Sequence, residues 1–266
     1  MDKQLNLLYF TATDSTAKVV KEVASGINEK FKEYNITLPL NREKELVFSS
    51  EDLVVIGVPV YGGRVPEFLV NYFGKIKGNN TPAIFIVVYG NRDYEDALLE
   101  LKNTFEENGF IGIAGASFIG EHSYTTELGT HRPDKGDLEI AKSFGEKILE
   151  KLNNTEATLK ETQLVVKGNL HYKERKSAMG PMAPETNEDC INCGVCANYC
   201  PMSAINFNDY SDIDIAKCIK CCSCIKRCPV NAKSFNDEMF KIFTQRLIDN
   251  FSSTRKEPEL FLCNLF

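Results

Sequence analysis

Cys190-Ile191-Asn192-Cys193-Gly194-Val195-Cys196-Ala197-Asn198-Tyr199-Cys200-Pro201 is matched by Cys218-Ile219-Lys220-Cys221-Cys222-Ser223-Cys224-Ile225-Lys226-Arg227-Cys228-Pro229. Both stretches spell C-x2-C-x2-C-x3-C-P. Each cysteine of the second stands 28 positions after its counterpart, as 218 does after 190. A fixed offset of this kind marks a duplicated structural unit. Three thiolates two residues apart can wrap one corner of an iron–sulfur cube, while a fourth, followed by proline, turns away from it. Zinc competes poorly, because it takes four ligands per site and often histidine, and no histidine follows His171. A disulfide framework needs an oxidising compartment, and Met1–Phe10 has neither the basic start nor the long apolar core of a secretory signal.

Over residues 186–234 this segment resembles the bacterial two-[4Fe–4S] ferredoxin. The resemblance implies crossed ligation, in which the fourth cysteine of each motif serves the other cluster. Cluster one is then assigned to Cys190, Cys193, Cys196 and Cys228, and cluster two to Cys218, Cys221, Cys224 and Cys200. Cys222 and Cys263 fall outside the pattern. Cys222 stands as a bystander or reserve ligand beside cluster two, and Cys263 as a buried apolar residue of the tail.

The chain has 266 residues, enough for one ordinary domain in addition to this small one. A formal net charge of −6 argues against nucleic acid as a partner. The longest apolar runs, Leu53–Val58 and Ala83–Val88, are too short for a membrane span. Many cysteines without an export signal point to a reducing cytoplasm, and oxygen-labile clusters to an anaerobic host.

Ahead of the cysteines, strand and helix signals alternate. Strands are expected at Gln4–Phe10, Ile36–Leu40, Leu53–Val58, Ala83–Val88 and Ile111–Phe118. Val20, Val23, Ile27 and Phe31 mark a first helix, and a second is expected to start near Pro66. Another carries Tyr94, Ala97, Leu98, Leu101 and Phe105 and closes at Gly109. The last, with Asp134 as N-cap, carries Leu138, Ala141, Gly145, Ile148 and Leu152. The expectation is an α/β domain, a flavodoxin-like five-stranded parallel sheet with helices on both faces. A small α+β ferredoxin-like domain follows it.

The strand ends carry the candidate ligand groups. Thr11-Ala12-Thr13-Asp14-Ser15-Thr16 opens the first helix, where orphan N–H groups and the dipole favour a phosphate. Tyr61-Gly62-Gly63-Arg64 follows the third strand, Tyr89-Gly90-Asn91-Arg92-Asp93-Tyr94 the fourth and Gly120-Glu121-His122-Ser123-Tyr124 the fifth. Glycines let backbone approach a ring and tyrosines offer flat faces. These loops, with Arg132-Pro133-Asp134, resemble the flavodoxin half of the flavodoxin–ferredoxin fusion proteins of anaerobic bacteria. That likeness implies FMN held by Thr11, Thr13, Ser15 and Thr16 at its phosphate. Its ring would lie by Tyr61, Gly62, Gly63, Tyr89, Gly90, Asn91 and His122, with Arg132 a weaker candidate. Asp14 departs from the family, which commonly has glycine there.

The expected divisions are 1–153 for the FMN-binding domain, 154–185 for an extended docking linker and 186–234 for the two clusters. Residues 235–266 form a helix and tail that pack on the domains or mark a homodimer contact. Lys160, Lys167, Lys173, Arg175 and Lys176 make the linker basic, and Met179 and Met182 are expected to dock. Such a chain is expected to be an electron-transfer flavo-iron–sulfur protein working with a soluble redox partner. The alternatives are an FMN-dependent oxidoreductase acting on a small substrate, quinone or nicotinamide, and a redox sensor. Whether it is an enzyme stays open at this point.

Overall fold

The computed structural model describes residues 3–154, 163–175 and 180–264. Strand β1 (Gln4–Tyr9) leads into α1 (Ser15–Ile27), followed by β2 (Lys32–Asn35), β3 (Leu46–Phe48) and β4 (Asp52–Pro59). Then come α2 (Glu67–Phe73), β5 (Ile76–Gly78), β6 (Thr81–Tyr89), α3 (Ala97–Glu107), β7 (Phe110–Ile119) and α4 (Lys135–Asn154). β4, β6 and β7 read as continuous apolar runs because both faces of the sheet are covered. Every residue of β6 is buried.

The main sheet runs β2-β1-β4-β6-β7 with all pairs parallel, the 2-1-3-4-5 order of a flavodoxin-like fold once the short β3 and β5 are set aside. The chain reverses direction across the sheet after β2. Right-handed crossovers therefore put α1 on the face opposite α2 and α3. Phe73 of α2 meets Phe105 of α3 with ring centroids 4.9 Å apart. α4 lies against α1, and glycines let the two backbones touch. A Cβ on Gly145 would stand 2.0 Å from the Val23 carbonyl oxygen, and one on Gly26 2.1 Å from that of Lys142.

Three expectations need correction. The second strand lies at Lys32–Asn35 rather than Ile36–Leu40, where Pro39 instead opens a 3-10 turn to Arg42. Phe31 is outside α1, which ends at Ile27 with Asn28 extended. Tyr94 precedes α3 and turns its hydroxyl to the Glu259 carboxylate, 2.8 Å away.

Beyond α4 come β8 (Glu185–Thr186), α5 (Val195–Asn198), α6 (Ser223–Lys226) and β9 (Lys233–Ser234), with β8 and β9 paired antiparallel. Helix α7 (Glu238–Phe251) is N-capped by Asp237, whose carboxylate accepts from Met239 and Phe240. It buries Phe240 and Leu247. Strand β10 (Glu259–Leu262) then adds a sixth, antiparallel strand to the β7 edge, and Cys263 is buried in the main core.

Linker residues 168–175 lie along α3 and the residue just before it. Asp96 accepts from the amides of Asn169 and Lys173, and Glu100 takes Arg64 at 2.7 Å and Arg175 at 2.6 Å. Met182 packs with Tyr124 and Phe243 around Phe240. Lys160, Lys176 and Met179, all part of the linker expectation, lie outside the described residues. No helix among those described is long and apolar enough to cross a membrane.

Candidate functional site

The duplicated motif folds twice in the same way. In each copy the three closely spaced cysteines lead into one short helix, α5 or α6, whose N-cap is left-handed. In the first copy that residue is Gly194 at φ 75°, and in the second, 28 residues on, it is Cys222 at φ 60°. Left-handed backbone favours glycine, so Cys222 occupies a conformation it does not prefer. After the fourth cysteine, the Ala204 amide donates to Cys200 Sγ at 3.3 Å and the Ala232 amide to Cys228 Sγ at 3.2 Å.

These folds gather eight thiols into two sets. Cys190, Cys193, Cys196 and Cys228 line one pocket, and Cys200, Cys218, Cys221 and Cys224 line a second. Each set takes its fourth member from the other copy. Among the described residues, no three His, Cys, Asp or Glu side chains converge on a single-ion position. Four thiols around one pocket suit a multi-iron cluster. The cysteines from Cys190 to Cys228 form no disulfide. Cys222 also lines the second cavity, and its Sγ lies 3.7 Å from the Lys220 carbonyl.

Residues 189–232 match the family model of the 4Fe-4S dicluster domain. Over these residues the chain is similar to 4Fe-4S dicluster domains. No curated protein matches the chain. Among solved structures, a flavodoxin from the domain Archaea aligns at 15% identity and TM-score 0.38, over 57% of this chain and 99% of that one. A flavodoxin of Streptococcus pneumoniae aligns at 13% identity and TM-score 0.39, over 56% of this chain and 99% of its own. The rubredoxin oxygen:oxidoreductase of Desulfovibrio gigas gives 14% and 0.38, over 57% of this chain and 37% of its own.

The dicluster domain sits over the carboxyl ends of the parallel strands. Arg227 Nη2 reaches Asp14 Oδ1 at 2.6 Å, Lys226 Nζ reaches Glu121 Oε1 at 2.5 Å, and Arg42 Nη2 donates to the Pro201 carbonyl at 2.6 Å. Burial pushes the Glu121 carboxyl up, but hydrogen bonds from Lys226 and the His131 amide outweigh it, and the pKa ends below the ordinary value. Ile219 and Cys221 pack against the α/β core, so the second thiol set faces the strand ends. Cys193, of the first set, is exposed.

The phosphate-loop candidates divide. Asp14 is left-handed at φ 67° and its carboxylate makes no cap bond. It faces Arg227 instead, which removes the repulsion its charge would offer an anion at the start of α1. Thr11 is used locally. Its amide donates to Thr37 Oγ1 at 3.0 Å, and its own hydroxyl accepts from the Ala17 amide at 3.4 Å. Ser15 and Thr16 bring backbone N–H groups to the first turn of α1, where a helix supplies no acceptor, and Thr13 stands just before the N-cap Asp14.

Around the ring position, Tyr61 stands out. Its hydroxyl is buried and has no hydrogen-bond partner. Burial first, then Cys221, Tyr124 and Cys222 nearby, push its pKa well up and keep it a neutral phenol. Gly62, left-handed at φ 63°, has open space where a Cβ would be. Other candidates are turned elsewhere. Tyr89 is only 4% exposed and packs on Tyr94, so it presents no free face. A Cβ on Gly63 would enter the Glu95 carboxylate, and one on Gly90 the His122 ring. Asn91 Nδ2 donates to the carbonyls of Phe251 and Thr254, both at 2.8 Å, and so clamps the tail. Arg132 forms a buried ion pair with Asp137 and donates to the Lys256 carbonyl at 3.0 Å. His122 Nδ1 accepts from the Tyr124 amide at 3.1 Å. Burial, then Lys226 and Arg92, push its pKa down to about 4, so the ring is neutral.

Lys226 and Arg227 were not among the expected site residues, and Tyr124 was read only as part of the loop after the fifth strand. A signal for two of them exists in the repeat, because Lys226-Arg227 stands where the first copy has Asn198-Tyr199. Charge added to one copy alone is what a one-sided docking contact requires.

Proposed function

We propose that this chain passes electrons within one molecule, between two [4Fe–4S] clusters and an FMN. Cys190, Cys193, Cys196 and Cys228 hold cluster one, and Cys218, Cys221, Cys224 and Cys200 hold cluster two. The amides of Thr13, Ser15 and Thr16 hold the flavin phosphate. Tyr61, Gly62 and the His122 loop lie beside its ring. When bound, the clusters supply single-electron steps and the flavin a two-electron store, which makes the assembly a converter between the two.

The observation that carries this reading is the docking of the second thiol set against the strand ends of the α/β core. In a 2-1-3-4-5 sheet that is where a ligand binds. The chain's own groups then have separate tasks. Lys226 and Arg227 fix the dicluster domain in place through Glu121 and Asp14. Tyr124, Met182 and Ile225 join Cys222, Phe235 and Phe240 in an apolar cluster that excludes water from the junction. Burial raises the Cys221 thiol to about 12 and pushes Cys224 up as well. These groups are therefore thiols until iron displaces their protons.

Iron, sulfide and flavin assays on anaerobically purified protein test the proposal. The expected yield is about eight irons and one FMN per chain. Cys200→Ala is expected to damage the second cluster and spare the first. Intact spectra for both clusters in that variant would overturn the crossed ligation, and an FMN titration without saturable binding would remove the flavin.

A further inference from the structure

The dicluster domain is electrically divided. Residues 185–216 contain Glu185, Glu188, Asp189, Asp209, Asp212 and Asp214 and no lysine or arginine. Residues 217–233 contain Lys217, Lys220, Lys226, Arg227 and Lys233 and no acid. The fold engages much of the basic half, although Lys217 itself stays exposed. Lys226 and Arg227 bind the α/β domain, Lys217 pairs with Asp214 at 3.0 Å, and Lys233 is 3% exposed beneath the first cavity. The acidic half is left toward solvent. Glu188 and Asp189 are exposed just before Cys190, and Asp209 precedes Tyr210, whose side chain lines the same cavity. None of these three is in an ion pair among the described residues. Inside this rim lie exposed Cys193 and Ile191, the latter 60% exposed.

An electron crosses between proteins where two redox groups approach most closely. Of the two thiol sets, only the first includes an exposed cysteine. An apolar centre with a rim of one sign is a docking geometry in which charge steers encounter and the centre excludes water. A second copy of this chain fits poorly, because its net charge is −6 and its concentrated basic segment is already engaged. The occupant must bring positive charge.

We infer that the face around Ile191 and Cys193 docks a one-electron carrier protein whose redox group is ringed by lysine or arginine. This rests on the reading that cluster one is held by Cys190, Cys193, Cys196 and Cys228. One electron leaves reduced cluster one and takes the carrier's metal from the oxidised to the reduced state. No bond is formed or broken and no proton moves. Traffic into the chain runs the same step in reverse.

The test uses the full-length, cluster-loaded protein, reduced anaerobically and mixed in a stopped-flow instrument with a basic c-type cytochrome as probe carrier. Haem reduction is followed at several ionic strengths. The expected rate falls as salt rises. Glu188→Lys with Asp189→Lys lowers the low-salt rate about tenfold and flattens the salt dependence. Asp209→Lys acts in the same direction. Glu146→Lys with Glu150→Lys, exposed on α4, stays within about twofold. Iron content is measured for each variant, so that a lost cluster is not mistaken for lost docking. A salt-independent rate, or equal losses in the α4 control, overturns the inference. So does a dimer in sedimentation that Ile191→Asp dissolves. Absence of clusters in the wild type would instead sink the underlying reading, and the two failures are therefore distinct.

Discussion

Tyr61 offers the sharpest single-atom perturbation, because Tyr61→Phe removes one oxygen and leaves the ring in place. The hydroxyl is buried without a partner, at the junction of the strand ends and the second thiol set. An unsatisfied buried hydroxyl costs about 1–3 kcal/mol. In protein stripped of cofactors, Tyr61→Phe should therefore stabilise the fold, by about 1 kcal/mol at the lower end of that range. On the proposed assignment, bound cofactors would give the phenol an acceptor, a flavin atom or a cluster sulfur. A hydrogen bond to a charged acceptor contributes about 1.5–3 kcal/mol, and the substitution should then destabilise by a similar amount. The effect changes sign between the two forms. Anaerobic denaturant unfolding of loaded and stripped protein, followed by far-ultraviolet circular dichroism, measures both. A substitution effect of the same sign and size in both forms would refute the argument, since it would mean that nothing bound meets this hydroxyl.

Other outcomes follow from the same geometry. Asn91→Ala removes two donated bonds to the tail and the longer one accepted from the Lys256 amide, at a residue 3% exposed. It should cost about 2–3 kcal/mol and open the chain after α7 to limited proteolysis, with cofactor content unchanged. His122 titrates near 4 in the folded chain against an ordinary 6.5, so the unfolded chain binds its proton first. Its contribution is complete above pH 6.5 and is lost as pH falls through about 4, at most about 3 kcal/mol. His122→Gln should flatten the stability profile across that window. An unchanged slope would assign it to other groups.

The legible parts of the fold were those buried on both faces. β4 and β6 announce themselves as unbroken apolar runs because no side of them meets water. β2 does not, because it is an edge strand whose Lys32, Glu33 and Asn35 are exposed and whose Tyr34 is half-buried. Ile36 supplied the apolar signal just beyond it, and it is buried in the core without being in a strand. The tail plainly needed burial, but its pairing with β7 joins Glu259 to Ser117, a contact between distant segments that local pattern does not encode.

The site divides along the same line. The two cysteine sets were legible because the 28-residue repeat carries them. Loop roles were less so, since glycine, tyrosine and asparagine at a strand end suit a flavin ring and a clamp on the tail equally well. Asn91 and Arg132 turned out to serve the tail. Asp14 looked adverse to a phosphate until Arg227, 213 residues away in sequence, was found on its carboxylate.

The central claim is that flavin and clusters exchange electrons inside one molecule. It is tested by reducing the clusters of the intact, FMN-loaded chain with a rapid photochemical donor and following flavin absorbance over a wide range of protein concentration. The account predicts a flavin reduction rate independent of protein concentration. A rate that rises in proportion to concentration would contradict it, because electrons would then be crossing between molecules.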